Sequence, residues 1–405
     1  MKDFINIENI NPNNQKINKQ PRKINRKKLA MMIMIVILVI AIITIVILYA
    51  SVTPFRKFFD KYIFQKIVSE EKLVSIQLDY DSNINVIGYN QYICVLAENT
   101  LKQYRASGDL VNEIKLEISN PVYHVNNKYL AISEKGSSKI YLIADNKVAW
   151  EKEVDGNIAK IDVNRNGYVA VILTGTTYKS VIVTYDAKGN ELFKTYLAST
   201  NALDATVSMD NQYLAFAEIG TSGTQIQSNV KIVSISKAKE SPSDSIIYTY
   251  EAPSNSLITN IEYQNKNRLI CIYDDSIHMI SDNQDEVIMN LQENDKKINH
   301  ADIRVTNFIY RAVEKSTGLF QADTIIEMMN IESRKETIYT IEGIAKNIYC
   351  YDNIIAVNLG QEIEFFNTSG WLIKKYTSSQ EVQSITITNG MAGIIYRDKV
   401  EIINL

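Results

Sequence analysis

The chain has 405 residues, of which 46% are apolar, and its 43 Lys and Arg against 46 Asp and Glu give a net charge of −3. Residues 1–28 carry a net charge of +6 and residues 29–50 carry none, which leaves −9 for the remainder. So acidic a remainder argues against binding to nucleic acid through its phosphates. Three scattered cysteines and three histidines, without a CxxC pair, argue against a disulfide framework and against a zinc site.

The N-terminal arm, residues 1–28, is polar, rich in Asn and basic. Segments with few apolar residues and a high net charge do not bury enough apolar surface to offset the entropy lost on folding. We therefore predict that this arm is disordered, and that its positive charge acts as a topology signal on the cytoplasmic side of a membrane.

Residues 29–50 form an apolar run that is interrupted by Thr44 alone. About 20 apolar residues suffice to cross a bilayer, so the run predicts a transmembrane helix whose partner is the lipid bilayer. A cleaved signal peptide is the alternative, but its apolar core is typically only about 7–15 residues long. Seven Lys and Arg lie between residues 16 and 28. The positive-inside rule then predicts a single-pass cell-membrane protein with a cytoplasmic N-terminus and an extracytoplasmic remainder.

The juxtamembrane segment, residues 51–71, has aromatic and apolar side chains at helical spacing: Phe55, Phe58, Phe59, Tyr62 and Ile63. Basic side chains lie between them, at Arg56, Lys57 and Lys61. This pattern favours a short amphipathic helix at the outer membrane interface. A continuation of the anchor helix, or a stalk packed on the following domain, explains the pattern equally well.

From residue 72 to the end, one pattern recurs eight times. An Asn, or once an Asp, is followed within a few residues by a short apolar strand with a small residue near its end. The runs are residues 90–94, 127–131, 166–170, 211–215, 267–271, 307–311, 352–356 and 389–393. Their starts are 37, 39, 45, 56, 40, 45 and 37 residues apart. A mostly β-forming unit of roughly 40 residues predicts an all-β fold, a β-propeller of four-stranded antiparallel blades.

The third repeat shows the four strands most clearly. Residues 158–163 alternate between apolar and polar, and the Asn-Gly pair at Asn166 then predicts a hairpin turn. Residues 168–173 and 181–185 predict the second and third strands, and a turn at residues 186–189 leads into a fourth strand at 191–197. Four strands in about 40 residues make one blade.

The small residues of the second strands also have a structural interpretation. They are Cys94, Ala131, Ala170, Ala215, Cys271, Ala356 and Gly393. We expect them on inner strands, where tapering blades crowd the axis. Arg311 breaks the pattern without an evident reason. The longest step contains residues 236–245, which we expect to form a polar surface loop in the fourth blade, with a binding loop as the alternative.

The last repeat, residues 382–405, supplies three strands. Residues 73–79 alternate as a strand and have no blade of their own. Because open sheet edges are a liability, we predict that this strand completes the last blade and closes a propeller of eight blades. Seven blades is the alternative.

The turns at residues 186–189 and 367–370 resemble those of quinoprotein-like and WD-repeat-like propellers. The order of basic arm, single anchor and propeller in an Ile-, Asn- and Lys-rich chain resembles a family of membrane-anchored propeller proteins of Gram-positive anaerobes, catalogued as a domain of unknown function. This resemblance implies the fold and carries no catalytic residues.

True quinoproteins have adjacent Cys residues and a metal site. This chain has no such Cys pair and keeps Trp in two repeats, at Trp150 and Trp371, so no bound quinone is expected.

Local motifs for chemistry are absent from the sequence. Without a nucleophile elbow, a phosphate loop or a zinc motif, we name no catalytic, cofactor-binding or metal residue and expect no cofactor. His124 and His278 fall in predicted strands as structural residues, and His300 with Asp302 is a weak candidate for a base and a carboxylate. Acidic clusters fit turn positions better than a cation site: Asp274, Asp275, Asp282, Asp285 and Glu286.

Two functions of different classes follow. The first is an extracytoplasmic binding or scaffold module for a protein or a cell-envelope polymer. The alternative is a hydrolase-like envelope enzyme whose residues gather on one face from several blades. The lack of a catalytic motif favours the binding module.

Overall fold

A computed structural model describes residues 26–51, 55, 59, 63, 74–78, 84–223, 225–253, 255–265, 268–292, 297–318 and 321–405. The chain divides into two compact units, Met1–Ile63 and Phe64–Leu405. Most of the predicted arm, residues 1–28, lies outside the described residues.

The first unit contains helix α1, Arg26–Ser51, which begins three residues before the predicted apolar run. Among the described helices, one stretch is long and apolar enough to cross a membrane: Met31–Tyr49, with a mean hydropathy of 3.5. A signal sequence near an N-terminus can satisfy the same criteria of length and hydropathy. Of the predicted juxtamembrane segment, Phe55, Phe59 and Ile63 are described beyond the helix, and the amide of Ile63 donates to the carbonyl of Phe59 at 3.0 Å.

The second unit is a β-propeller. Within its described residues, 32 strands form eight four-stranded antiparallel sheets, which confirms both the fold class and the blade count. Seven blades take their four strands consecutively from the chain.

The first four blades have these strands, in chain order: β2 Asn85–Tyr89, β3 Tyr92–Ala97, β4 Thr100–Tyr104, β5 Leu110–Lys115; β6 Pro121–Asn126, β7 Tyr129–Glu134, β8 Lys139–Ala144, β9 Lys147–Glu153; β10 Asn157–Val163, β11 Val169–Thr174, β12 Ser180–Tyr185, β13 Glu191–Leu197; β14 Asn201–Val207, β15 Tyr213–Gly220, β16 Gln227–Ser234, β17 Ile246–Glu251.

The next three blades follow in the same way: β18 Ile258–Asn265, β19 Arg268–Tyr273, β20 Ser276–Ser281, β21 Gln284–Asn290; β22 Lys297–Val305, β23 Phe308–Ser316, β24 Ala322–Asn330, β25 Glu336–Ile341; β26 Asn347–Tyr351, β27 Ile354–Asn358, β28 Glu362–Asn367, β29 Leu372–Thr377. The eighth blade contains β30 Ser384–Thr388, β31 Met391–Ile395, β32 Lys399–Asn404 and β1 Val74–Gln77.

The ring closes where the sequence predicts it. Strand β1 pairs antiparallel with β32, and Ile76 lies opposite Val400 in the register. Ile76 is buried among Ile93, Met391, Val400 and Ile402. The predicted closing strand at residues 73–79 is therefore confirmed, and the described strand is Val74–Gln77.

The Asn that marks each repeat lies in the hairpin turn between the first and second strands. Five of these turns hold a residue in the left-handed region, with φ between 51° and 61°: Asn90, Asn127, Asn211, Asn307 and Asp352. Asn and Asp tolerate this conformation better than other residues with side chains. Where the repeat has Asn-Gly, the glycine adopts the left-handed conformation instead, with φ of 83° at Gly167 and 77° at Gly390. Asn267 lies outside the described residues.

The first strands of neighbouring blades lie next to one another and form the inner ring around the propeller axis. The small residues lie on the second strands, so our expectation of inner strands was wrong. Their size is explained by packing between blades. Ala131 packs against Val163 and Val169 of the third blade, and a Cβ on Gly393 would lie 3.3 Å from Ile93 of the first blade.

Arg311 does not break the pattern once the register is known. In the sixth blade β23 begins one residue after the Asn of its repeat, whereas β7 begins two residues after its Asn. A shift of one residue turns every side chain of a strand to the other face. Tyr310 therefore takes the place of Ala131 and packs against the seventh blade, and Arg311 faces the fifth blade.

The polar stretch at residues 236–245 is not the loop that the sequence predicts. It forms helix α2, Ile235–Glu240, and a short 3₁₀ turn, Pro242–Asp244. Ile235 and Ala238, three residues apart on one face of α2, are buried against the third and fourth blades. The burial of these two apolar side chains, which lie at helical spacing, packs the helix against the blades.

We expect Gly88→Ala to destabilise the propeller at its closing seam. A Cβ on Gly88 would lie 2.5 Å from the carbonyl oxygen of Ile387, across the contact between the first and eighth blades. Forcing an extra carbon into packed backbone costs roughly 1–3 kcal/mol. Urea unfolding measures the loss. Gly220→Ala is the matched control, because its nearest atom would lie 3.7 Å away. Equal midpoints for the two variants would contradict the close approach.

Candidate functional site

Charged side chains from the inner strands of five blades converge on the propeller axis. We call them the axial cluster: His124, Lys160, Asp162, Asp204, Glu262, Asp302 and Arg304. They come from β6, β10, β14, β18 and β22. Asp162 and Asp302 belong to blades that do not adjoin each other, yet the charges of both act on Glu262. The side chains thus share one site on the axis.

Two ion pairs anchor this cluster. Lys160 Nζ lies 2.7 Å from Asp204 Oδ1, and this contact joins the third blade to the fourth. Asp204 Oδ2 accepts the amide of Ile261 at 2.9 Å, which extends the link to the fifth blade. Arg304 binds Asp302 through its Nε and through a second guanidinium nitrogen. The carboxylates of both pairs are buried, whereas 38% of the Lys160 side chain and 55% of the Arg304 side chain are exposed.

The charge on Asp302 is stabilised by its partner. Burial alone would raise the pKa of Asp302, but the hydrogen bonds and the charge of Arg304 hold it below its usual value. Asp302 therefore stays ionised at neutral pH, and the Asp302–Arg304 pair is neutral as a whole.

No Lys or Arg lies within ion-pair distance of Asp162 in the described residues. Nδ1 of His124 lies 3.0 Å from Asp162 Oδ1, but the same nitrogen accepts the amide hydrogen of Val163 at 3.1 Å. A ring nitrogen that accepts a hydrogen bond carries no proton, so His124 does not neutralise the carboxylate through it. The other oxygen, Asp162 Oδ2, is buried and has no hydrogen-bond partner in the described part of the chain. Burial and the charge of Asp204 raise the pKa of Asp162, against the opposing effects of His124, Lys160 and a hydrogen bond from Thr206.

Glu262 is the most perturbed acid of the axial cluster. Burial, followed by the charges of Asp162 and Asp302, raises its pKa to about 8. Groups with strongly shifted pKa values in a cleft are candidates for functional sites. At neutral pH the axis therefore holds a protonated Glu262 beside Asp162.

We expect Glu262→Gln to change how stability depends on pH. Between pH 4.5 and about 8, the folded protein keeps the proton of Glu262 while the unfolded chain has lost it. The wild-type free energy of unfolding then falls as the pH rises through this window. Relative to the wild type, the glutamine variant should gain up to about 1.4 kcal/mol per pH unit. Urea unfolding of both proteins at pH 5 and pH 8 tests this, and a constant difference between them would contradict the raised pKa.

The pair that the sequence suggested, His300 and Asp302, lies at this site without a hydrogen bond between its members. Nδ1 of His300 is 3.0 Å from the hydroxyl of Tyr310, while Asp302 binds Arg304. Burial lowers the pKa of His300. The other charged members of the axial cluster were missed, because their spacing along each strand is that of an ordinary solvated face.

His278, interpreted from sequence as structural, belongs to a chain of hydrogen bonds in the fifth blade. Nε2 lies 3.0 Å from Ser276 Oγ, and Nδ1 lies 2.9 Å from Asp285 Oδ1. Ser276 Oγ is also 2.6 Å from Asp275 Oδ1. The order of hydroxyl, imidazole and carboxylate is that of a nucleophile, its base and the group that orients the base. Ser276 is 7% exposed, which limits access to its hydroxyl.

Four of the acidic residues singled out in the sequence, Asp274, Asp275, Asp285 and Glu286, have structural partners. Asp274 Oδ1 accepts the amide of Leu257 at 3.0 Å and the hydroxyl of Ser256 at 3.1 Å. Glu286 forms an ion pair with Arg334 at 2.6 Å. In the part of the chain that the structure describes, no three His, Cys, Asp or Glu side chains are grouped so that they could hold a metal ion.

A cavity of about 240 Å³ lies between the fifth and sixth blades, with Arg311 in its lining. Arg311 Nε donates to Glu327 Oε2 at 2.6 Å, and its guanidinium also binds the carbonyl of Asn290. Arg311 and Glu327 are both largely buried. The apolar lining consists of Val287, Ile288, Met289 and Met328.

Solved structures similar to this chain are propellers of low sequence identity. Sqt1 from Chaetomium thermophilum matches with a TM-score of 0.53 and 8% identity, over 83% of this chain and 99% of that one. BamB from Moraxella catarrhalis matches with a TM-score of 0.45 and 13% identity, over 82% and 96% of the two chains. At 8% identity, the match to Sqt1 supports the fold alone. No curated protein matches the chain.

The sequence profile of DUF5711, a family of unknown function, matches residues 64–405. The matched region begins where the second compact unit begins, and it covers all eight blades and the axial cluster. The chain therefore belongs to the DUF5711 family of unknown function.

Proposed function

We propose that this chain is a single-pass membrane protein whose extracytoplasmic propeller acts as a binding or scaffold module for a protein or a cell-envelope partner. The observation that carries the proposal is the axial cluster. Five blades hold its side chains on inner strands, and two ion pairs with buried carboxylates fix four of them. Sites on regular strands are held more rigidly than sites on loops, which suits recognition of a partner.

The membrane part of the proposal rests on α1 and on the charges that flank it. We expect protease added to intact cells to cut the propeller and to spare an epitope tag at residue 1, since the basic arm favours the cytoplasm. Immunoblots against the tag and against the propeller show which of the two is cut, and therefore which side of the membrane each one occupies. A propeller that is protected until the cells are lysed would reverse the topology.

Capture of partners with the propeller as bait tests the binding function. We expect partners retained by the wild type to be lost from Arg304→Gln, whose replaced side chain is 55% exposed on the axis. Ile338→Ser is the matched control, because Ile338 is exposed on the outer strand β25, away from the inner ring. If the captured partners were lost from Ile338→Ser and kept by Arg304→Gln, the binding surface would lie on the outer strands of the propeller and not on its axis.

A second candidate function, a hydrolase-like activity in the cell envelope, is favoured by one observation. Ser276, His278 and Asp285 have hydrogen-bond distances of 3.0 Å and 2.9 Å in the order that nucleophilic catalysis requires. The burial of Ser276 and its contact with Asp275 favour a structural role.

A fluorophosphonate probe separates the two roles of Ser276. An active nucleophile would be labelled in the wild type and in Ser333→Ala, and unlabelled in Ser276→Ala. We expect no label at Ser276, because its hydroxyl is buried and already bonded to Asp275. Labelling that disappears in Ser276→Ala would favour the enzyme over the binding module.

A further inference from the structure

We propose that the axial cluster binds an organic cation, an ammonium or guanidinium group that enters along the axis and lies between Asp162 and Glu262. This inference rests on the proposed binding function and assigns the chemical class of the ligand.

The charge balance of the axial cluster is the first argument. It contains four carboxyl groups and two permanent cations. Lys160 neutralises Asp204, and Arg304 neutralises Asp302, at hydrogen-bond distance in both cases. Asp162 and Glu262 remain without a cation among the described residues. Buried carboxylates are costly unless they are paired with a positive charge. Because Glu262 keeps its proton at neutral pH, Asp162 is the one acid left uncompensated, and the site lacks one positive group.

The second argument is the orphaned oxygen of Asp162. Its Oδ2 atom is buried and unbonded in the described part of the chain, although buried polar atoms in native proteins nearly always have a partner. The N–H groups of an ammonium or guanidinium ion would supply both the missing hydrogen bond and the missing charge. The cluster is also open to solvent, since the side chains of Lys160, Arg304 and His124 are 38%, 55% and 28% exposed.

The expected release of a proton follows from the charged groups that surround Asp162 and Glu262. Asp162, Asp204, Asp302 and Arg304 act on Glu262, and Asp162 in turn faces His124, Lys160 and Asp204. With three acids and one cation acting on it, Glu262 is protonated in the free protein at neutral pH. An arriving cation favours the ionised form, so the carboxyl releases its proton to solvent as the ligand binds. The affinity should then rise with pH, by at most tenfold per unit below pH 8.

Titration calorimetry on the full chain in lipid nanodiscs tests this directly. The probes are spermidine, as a free polyamine, and a short acetylated peptide rich in Lys and Arg, as a protein segment. Buffers with different ionisation enthalpies report the number of protons released. We expect one or both probes to bind at pH 7 with the release of up to one proton, and the probe that binds more tightly identifies the source of the cation.

Variants of the two acids assign the binding to the site. Glu262→Gln and Asp162→Asn should each weaken binding by at least tenfold, and Glu262→Gln should abolish proton release. Glu117→Gln, at a carboxylate with 81% exposure, should bind as the wild type does. Melting curves show which variants are folded, and either acid variant alone suffices for the comparison.

Any of the following outcomes would overturn the inference. One is the absence of binding by both probes between pH 6 and 8.5, or binding that both acid variants leave unchanged. Another is calcium binding at the two acids in place of the organic cations. Partners captured equally well by wild type and Glu262→Gln would leave the binding function standing and remove the cation assignment alone.

Discussion

A propeller fragment that starts at Asp81 should melt far below one that starts at Lys72. The shorter fragment lacks β1, so the eighth blade keeps three strands and β32 keeps β31 as its only partner strand. Ile76 leaves the cluster that it shares with Val400 and Ile402. Burying one large aliphatic side chain contributes roughly 1.5–3 kcal/mol, and β1 also covers an open sheet edge.

The loss is large against the usual net stability of about 5–15 kcal/mol. Circular dichroism melts of the two fragments measure it, and a pair of substitutions in the longer fragment separates burial from chain length. Ile76→Asp should lower the melting temperature strongly, whereas Ser75→Asp, on the exposed face of β1, should leave it nearly unchanged. Equal melting temperatures for the two fragments would mean that the ring does not depend on β1.

The second large effect is expected at Arg311. Arg311→Met leaves Glu327 buried without the guanidinium that lies 2.6 Å away. Removing one partner of a buried ion pair costs roughly 3–5 kcal/mol, whereas replacing both by apolar residues is often neutral. We therefore expect the double variant Arg311→Met, Glu327→Leu to recover most of the stability that the single variant loses.

Urea unfolding of the wild type, both single variants and the double variant completes the cycle. Lys346→Met is the control, because the Lys346–Glu381 pair is solvent-exposed on both sides and such pairs contribute about 0–1 kcal/mol. A double variant as unstable as Arg311→Met would show that packing around the cavity, and not the ion pair, sets the stability there.

The sequence predicted the fold because its signals are local. Asn127 and its equivalents are needed where a hairpin turn requires a left-handed residue, and Ala131 and its equivalents are needed where blades pack closely. The closing strand was found because its apolar residues alternate and the last repeat has three strands. The sequence did not explain Arg311, because β23 begins one residue earlier after its Asn than β7 does, and this shift reverses the face on which each side chain lies. The residues near Asn307 do not reveal the length of that turn.

The candidate site was largely missed for a related reason. Lys160 and Asp162, like Asp302 and Arg304, alternate along a strand as solvated residues do. Their site exists because inner strands from five blades meet at the axis, and residues far apart in the chain become neighbours there. Helix α2 was missed because Ile235 and Ala238 are two apolar positions in an otherwise polar stretch.

Site-specific photo-crosslinking in intact cells tests the central claim, that the axis of the propeller is the surface that binds a partner. A photoreactive phenylalanine analogue replaces either Tyr123, which is 42% exposed on the inner strand β6, or Ile338, which is 62% exposed on the outer strand β25. Arg304 of the axial cluster acts on the pKa of Tyr123, which places Tyr123 near the site. We expect crosslinked adducts from position 123 and none from position 338. Adducts from position 338 alone would contradict the claim.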